Sequence, residues 1–166
     1  MTNHPIKAPE GWWEEGVFHF PFRCYYEDTD VGGMVYHARY VSFFERVRTE
    51  SIRGTAMDVD ALMARPEADG GPLVYVVSKI DITYRQQSKL GDVLLGHTMA
   101  KKVRAAAVEA RQWITREGEV VADANVLIAI VDQQGRPNRW PADAKAAWSK
   151  VQADAENGHY WSKFAV

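Results

Sequence analysis

The chain has 166 residues, 46% hydrophobic and 25% charged, with a formal net charge of −2. That length suffices for one domain with a real core. The charge gives no support to nucleic-acid binding through a bulk basic surface, and no apolar run approaches the ~20 residues of a membrane-spanning helix.

Residues 1–16 read as a polar N-terminal extension with Pro5, Pro9 and Gly11. They carry Glu14-Glu15 and lack the apolar core of a signal peptide, so a cytoplasmic protein is expected. Trp12-Trp13 is costly to leave wet and is expected to pack on the domain or on a partner subunit. Val17 to Tyr26 is aromatic and β-branched and predicts a strand, with Pro21 marking an edge or a bulge. Within it lies Cys24, the single cysteine, read as a small buried hydrophobe. From about Tyr36 to Arg53, the residues Tyr36, Tyr40, Phe43, Phe44, Val47 and Ser51 share one helical face, which Val41 and Ile52 widen. Gly54 ends that helix.

Thr55 to Pro72 is irregular, with a short helical turn possible at Val59 to Ala64. Four strand patterns follow: Leu73–Arg85, Asp92–Val103, Ala105–Thr115 and Val120–Val131, with an unplaced break near Arg104. Pro141 to Asp154 predicts a C-terminal helix, and His159 to Val166 an aromatic tail tucked onto the body. A strand, a long helix and then four strands is an α+β order. The natural solution is an antiparallel sheet with one face on the helix. The domain proper therefore spans 17–140, with a helix and tail over 141–166.

The turn from Glu27 to His37 joins the first strand to the long helix. It is acidic and contains Gly32-Gly33, which lets the backbone take unusual dihedrals or approach a ligand closely. It feeds into a helix N-terminus with unpaired N–H groups and partial positive charge. Asp30 lies just upstream, where its carboxylate can act beside an oxygen bound by those groups. The five histidines, His4, His19, His37, His97 and His159, show no metal-ligand spacing, so no metal is expected.

The unbroken run Tyr25-Tyr26-Glu27-Asp28-Thr29-Asp30-Val31-Gly32-Gly33-Met34-Val35-Tyr36-His37-Ala38-Arg39-Tyr40 continues through Phe43-Phe44-Glu45-Arg46 to Glu50. It resembles the signature of the hotdog-fold acyl-CoA thioesterases, and within them the bacterial 4-hydroxybenzoyl-CoA thioesterase-like branch associated with the Tol–Pal system. The resemblance implies a hotdog fold, with the sheet wrapped around the central helix. It also implies a homodimer or homotetramer with active sites at the subunit interface. The implied activity is hydrolysis of short- or medium-chain or aromatic acyl-CoA, with acyl carrier protein as a possible alternative carrier. Coenzyme A would be part of the substrate, and no cofactor is expected.

Thioester hydrolysis needs a group that attacks the carbonyl or activates water, and donors for the oxyanion. Asp30 suits the first as general base or as nucleophile, with Asp28 its competitor. The amides near Tyr36 and His37, with Gly33 beside them, suit the second. A neutral His37 is favoured at a helix N-terminus. The resemblance makes it a polariser or water-positioner, and puts a tyrosine at Tyr26 to orient the carboxylate or the acyl carbonyl. A core strand aromatic is the other reading of Tyr26. Phosphates of CoA need cations, for which Lys101, Lys102 and Arg104 form one candidate group and Arg85 with Lys89 another. Gln87-Ser88 stands where the family usually has Pro-Ala. A hotdog dehydratase or hydratase fits the signature less well. A non-catalytic acyl-thioester or lipid-binding protein of envelope upkeep is the reading from another class.

Overall fold

The computed structural model describes residues 8–158, so the expected packing of the tail 159–166 lies outside the described residues. The chain opens with a feature absent from the sequence reading. Trp12–Glu14 forms a short strand, β1, which turns through Glu15 and Gly16 at φ 47° and 75° and pairs with β2, Val17–Arg23. The reason is ring cover: Trp12 stacks on His19 at 5.2 Å and Trp13 tilts against Phe18 at 5.4 Å. β1 reaches only from Val17 to His19 along β2. Among the described residues no strand pairs with Pro21 on that side, which suits a residue without an N–H.

After β2 come helix α1 (Arg39–Ile52), short helix α2 (Val59–Met63) and strand β3 (Leu73–Tyr84). Strands β4 (Val93–Val103), β5 (Ala107–Arg116) and β6 (Glu119–Asp132) follow, and helix α3 (Ala142–Asn157) closes the described chain. All strands join one antiparallel sheet in the order β1-β2-β4-β5-β6-β3. This is the hotdog arrangement, α+β, with β3 left as an edge.

The core sits where α1 lies against the sheet. Tyr40, Phe43 and Phe44 are buried in one cluster with Leu94, Ala110, Ile114 and Ala122, and Val47 is buried in a second with Phe18 and Phe20. Burying such a side chain contributes about 1.5–3 kcal/mol, well above helix-propensity differences of about 0.7 kcal/mol per residue. Val41, expected to widen the stripe, is instead 41% exposed. Contact between helix and sheet is closest at Gly96, where an added Cβ would fall 2.3 Å from Val47 Cγ2. α3 buries Ala144, Trp148 and Ala155, and its Gln152 accepts the Val103 N–H at 2.8 Å.

Several boundaries differ from the expectation, α3 for instance running on to Asn157. β2 stops at Arg23, and Tyr26–Asp28 forms a 3-10 turn. α1 starts at Arg39, three residues after Tyr36, whose N–H donates to the Asp28 carbonyl at 2.9 Å. The break near Arg104 is a turn: the Arg104 N–H donates to Ala107 O at 2.8 Å, and Ala106 O accepts from Ile130 N–H at 3.0 Å. Ala105 and Ala106 thus belong to the turn and not to β5. Among the described residues, no helix is long and apolar enough to cross a membrane.

Candidate active site

The loop between β2 and α1 is built on Asp28, which is fully buried. One carboxylate oxygen, Oδ2, accepts the Tyr25 N–H at 2.8 Å. The other, Oδ1, accepts Arg39 Nε at 2.9 Å and Nη2 at 2.6 Å. With the Tyr36 N–H on its carbonyl, Asp28 holds the beginning and the end of the loop together. Both carboxylate oxygens of Asp28 are committed to donors of the protein itself.

Beyond this knot the chain makes a tight excursion. Thr29 bridges Val35, the Asp30 N–H donates to Met34 O at 2.9 Å, and the Gly33 N–H donates to Asp30 O at 3.0 Å. Gly33 sits at φ 72°, a conformation that favours glycine. Asp30 is exposed at the tip. Its Oδ1 accepts the Gly32 N–H at 2.8 Å, while Oδ2 has no hydrogen-bond partner among the described residues. The loop is tied to the β3–β4 connection by the Val35 N–H on Ser88 O at 2.8 Å and by a bridge from Met34 to Lys89. Ser88, at the departure from the family pattern, is thus buried support for the loop.

His37 is exposed at the helix entry. Its ring lies 4.4 Å from that of Tyr36 and 6.4 Å from that of Tyr84, and its carbonyl accepts the Tyr84 hydroxyl at 3.0 Å. The expected pair of oxyanion donors needs correction. The Tyr36 N–H is consumed by Asp28, whereas the N–H groups of His37 and Ala38 have no partner among the described residues. Tyr36 therefore offers a half-exposed ring and not an amide. Sequence reasoning missed Tyr84 and Arg39. Arg39 stood in the quoted signature with its charge as the only signal, and nothing local marks Tyr84, which arrives from the end of β3.

Tyr26 is 84% exposed, not a core aromatic, and its hydroxyl makes no hydrogen bond among the described residues. The cation candidates separate. Lys89 flanks the Asp30 loop, but Arg85 is committed to Asp123 at 2.5 Å, alongside Arg111 at 2.7 Å. Lys102 lies near the far end of β4, about 30 Å along the strand from Val93. Arg104, just beyond it, is paired with Glu109. Within one chain neither reaches Asp30. Cys24 is buried, and burial first, then the nearby Asp28 and Asp92 charges, push its thiol up to about 12, which makes it unreactive. Among the described residues no three or more His, Cys, Asp or Glu side chains gather as a metal site. A cavity of about 300 Å³ opens under the C-terminal half of α1, lined by Arg48, Ile52, Val59, Tyr75, Val108 and Trp148 among others.

Residues 24–148 match the thioesterase-like superfamily. The chain belongs to this superfamily. Among its thioesterase-like relatives, the chain is 39% identical to the acyl-CoA thioesterase YbgC of Haemophilus influenzae over 136 residues, 81% of this chain and 96% of the relative. The acyl-CoA thioester hydrolase YbgC of Escherichia coli is 39% identical over 117 residues, 70% of this chain and 83% of the relative. A probable thioesterase of Bartonella henselae superposes with TM-score 0.69 at 32% identity, covering 74% of this chain and 98% of its own. A Staphylococcus aureus protein solved in complex with CoA shares the fold at TM-score 0.76 and 13% identity, each chain covered to 97%.

Proposed function

We propose that this protein hydrolyses acyl-CoA thioesters, with Asp30 as the group that delivers water or attacks the carbonyl itself. The observation that carries the reading is one arrangement: an exposed carboxylate whose Oδ2 has no hydrogen-bond partner among the described residues, seven residues before two amides at the start of α1 that have none among them either. In the general-base route, Oδ2 takes a proton from water as its oxygen bonds to the thioester carbon. The carbonyl electrons move onto oxygen, facing the His37 and Ala38 N–H groups. Collapse of this adduct releases the CoA thiolate, which takes up a proton, and leaves the free acid. In the nucleophilic route Oδ2 itself attacks, and water cleaves the resulting mixed anhydride. His37 sits where its ring can orient the water or polarise the carbonyl, Tyr26 and Tyr36 flank the approach, and Gly33 lets the backbone close against the acyl group. Acyl carrier protein is an alternative carrier.

We also infer a homodimer. β3 is a twelve-residue edge strand on which Val76 and Val77 are 43% and 45% exposed, a surface suited to pairing with a second copy. Lys102 and Arg104 would reach CoA phosphates only at a site shared with that copy.

The test is free-thiol release from short, long and aromatic acyl-CoAs, wild type beside Asp30→Asn. General-base removal should lower kcat by about 10²–10⁴ with the fold intact. Binding of acyl-CoA without turnover by the wild type would favour a non-catalytic carrier instead. Label found in Asp30 after a single turnover in ¹⁸O-water would establish the nucleophilic route, with water attacking the Asp30 carboxyl carbon of the anhydride.

A further inference from the structure

The proposed reaction uses the tip of the β2–α1 loop and leaves its foot without a role. The foot holds a buried acid, Asp28, whose every acceptor is assigned to a different part of the loop. Oδ2 takes the backbone at Tyr25, where the strand has just ended. Oδ1 takes two donors of Arg39, the first residue of α1, at 2.9 and 2.6 Å. The carbonyl takes the Tyr36 N–H at 2.9 Å. Glu27 stands 3.6 Å from Arg39 but is mostly exposed and screened, so the buried Asp28 is the controlling partner.

The consequence falls on the two ends of the reacting geometry. Asp30 is two residues after Asp28, and the amides of His37 and Ala38 lie between Tyr36 and Arg39, both of which Asp28 holds. Occupying the Tyr36 N–H also decides which amides remain unpaired. We propose that Asp28 and Arg39 are positioning residues for the reaction, setting the separation between the Asp30 carboxylate and the His37 and Ala38 donors. This rests on the reading of Asp30 given above. A misplacement of about 1 Å in such an arrangement can cost on the order of 10²-fold. The guanidinium is required as a shape as well as a charge: Nε and Nη2 meet one oxygen together, which a lysine ammonium at the end of a thinner stem cannot reproduce.

The experiment measures kcat and KM separately by thiol release, with thermal melts alongside, for wild type, Asp30→Asn, Arg39→Lys and Arg39→Ala. Arg39→Lys keeps the charge against Asp28 and is expected to remain folded, with kcat down about tenfold or more and KM within about threefold. Arg39→Ala is expected to lose more, and added ethylguanidinium to restore several-fold activity to it but none to wild type. Arg39→Lys with the kcat of wild type overturns the proposal. So does a loss in both variants that follows the unfolded fraction and that ethylguanidinium does not relieve. An active wild type with inactive Asp30→Asn and normal Arg39→Lys removes the positioning role alone. A wild type inactive on every thioester removes the reading of Asp30, and the positioning role with it.

Discussion

Asp28 and Asp30 carry the same side chain two positions apart but lie in opposite surroundings. The first is fully buried and pairs with Arg39; the second is exposed, and its Oδ2 has no hydrogen-bond partner among the described residues. A second pair of like residues shows the reverse economy. His19 and His97, on adjacent strands, meet through Nδ1 at 2.8 Å, and His97 Nε2 lies 3.0 Å from Thr115 Oγ1. Burial first, then the neighbouring His19, pushes the His97 ring down to about 3, and burial lowers His19 against the opposing pull of Glu14. A histidine whose folded value lies below its unfolded value takes up protons more readily when unfolded. The stability these histidines contribute is therefore fully present above about pH 6.5 and is lost as pH falls toward 3. Thermal melts of wild type between pH 7 and pH 4 should fall, and His97→Asn should show a flatter dependence over the same range. A wild-type midpoint independent of pH there would refute the assignment.

At the scale of elements, the packing of α1 on β4 depends on the missing side chain of Gly96. A Cβ there would lie 2.3 Å from Val47 Cγ2 and 3.1 Å from Phe22 Cε1. Gly96→Ala is thus expected to overpack the helix–sheet contact and lower stability by about 1–3 kcal/mol, read as a lower urea midpoint. Because the clash is with Val47, Val47→Ala in the Gly96→Ala background should cost less than its effect in wild type. Equal costs in the two backgrounds would show that the backbone relaxes instead. The helix itself was legible from its 3.6-residue apolar spacing. Its start was not: the aromatic spacing runs back to Tyr36, whereas the helix begins at Arg39.

At the scale of the molecule, β3 follows β2 in sequence but takes its place at the opposite edge of the sheet, beside β6. That leaves a long unpaired edge for a second copy. Neighbouring strand residues direct their N–H groups to opposite sides, so of Ile80 and Asp81 one donates toward β6 and the other outward. Proline at the outward position leaves the β6 ladder whole and removes a donor from the edge. Sedimentation of wild type should give a dimer, and one of the two proline variants a folded monomer. Two proline variants as dimeric as wild type would place the contact elsewhere.

The strand and helix periods, the glycine-bearing acidic turn and the signature around Asp30 were all present in the residues, because each depends on neighbours a few positions away. So the α+β element order and the acidic, glycine-bearing loop could be read directly, and the signature implied the hotdog fold, while the exposure of Asp30 and the positive φ of Gly33 came with the folded chain. What required the folded chain were relations between residues distant in sequence: the pairing of β1 with β2, the closure of Tyr84 over His37, and the separation of Lys102 and Arg104 from Asp30. The choice of Asp28 as the buried partner of Arg39 belongs with these, although both residues lie within the signature. Two aspartates in one turn have the same intrinsic chemistry, and only the packing of the loop against α1 removes one of them from water.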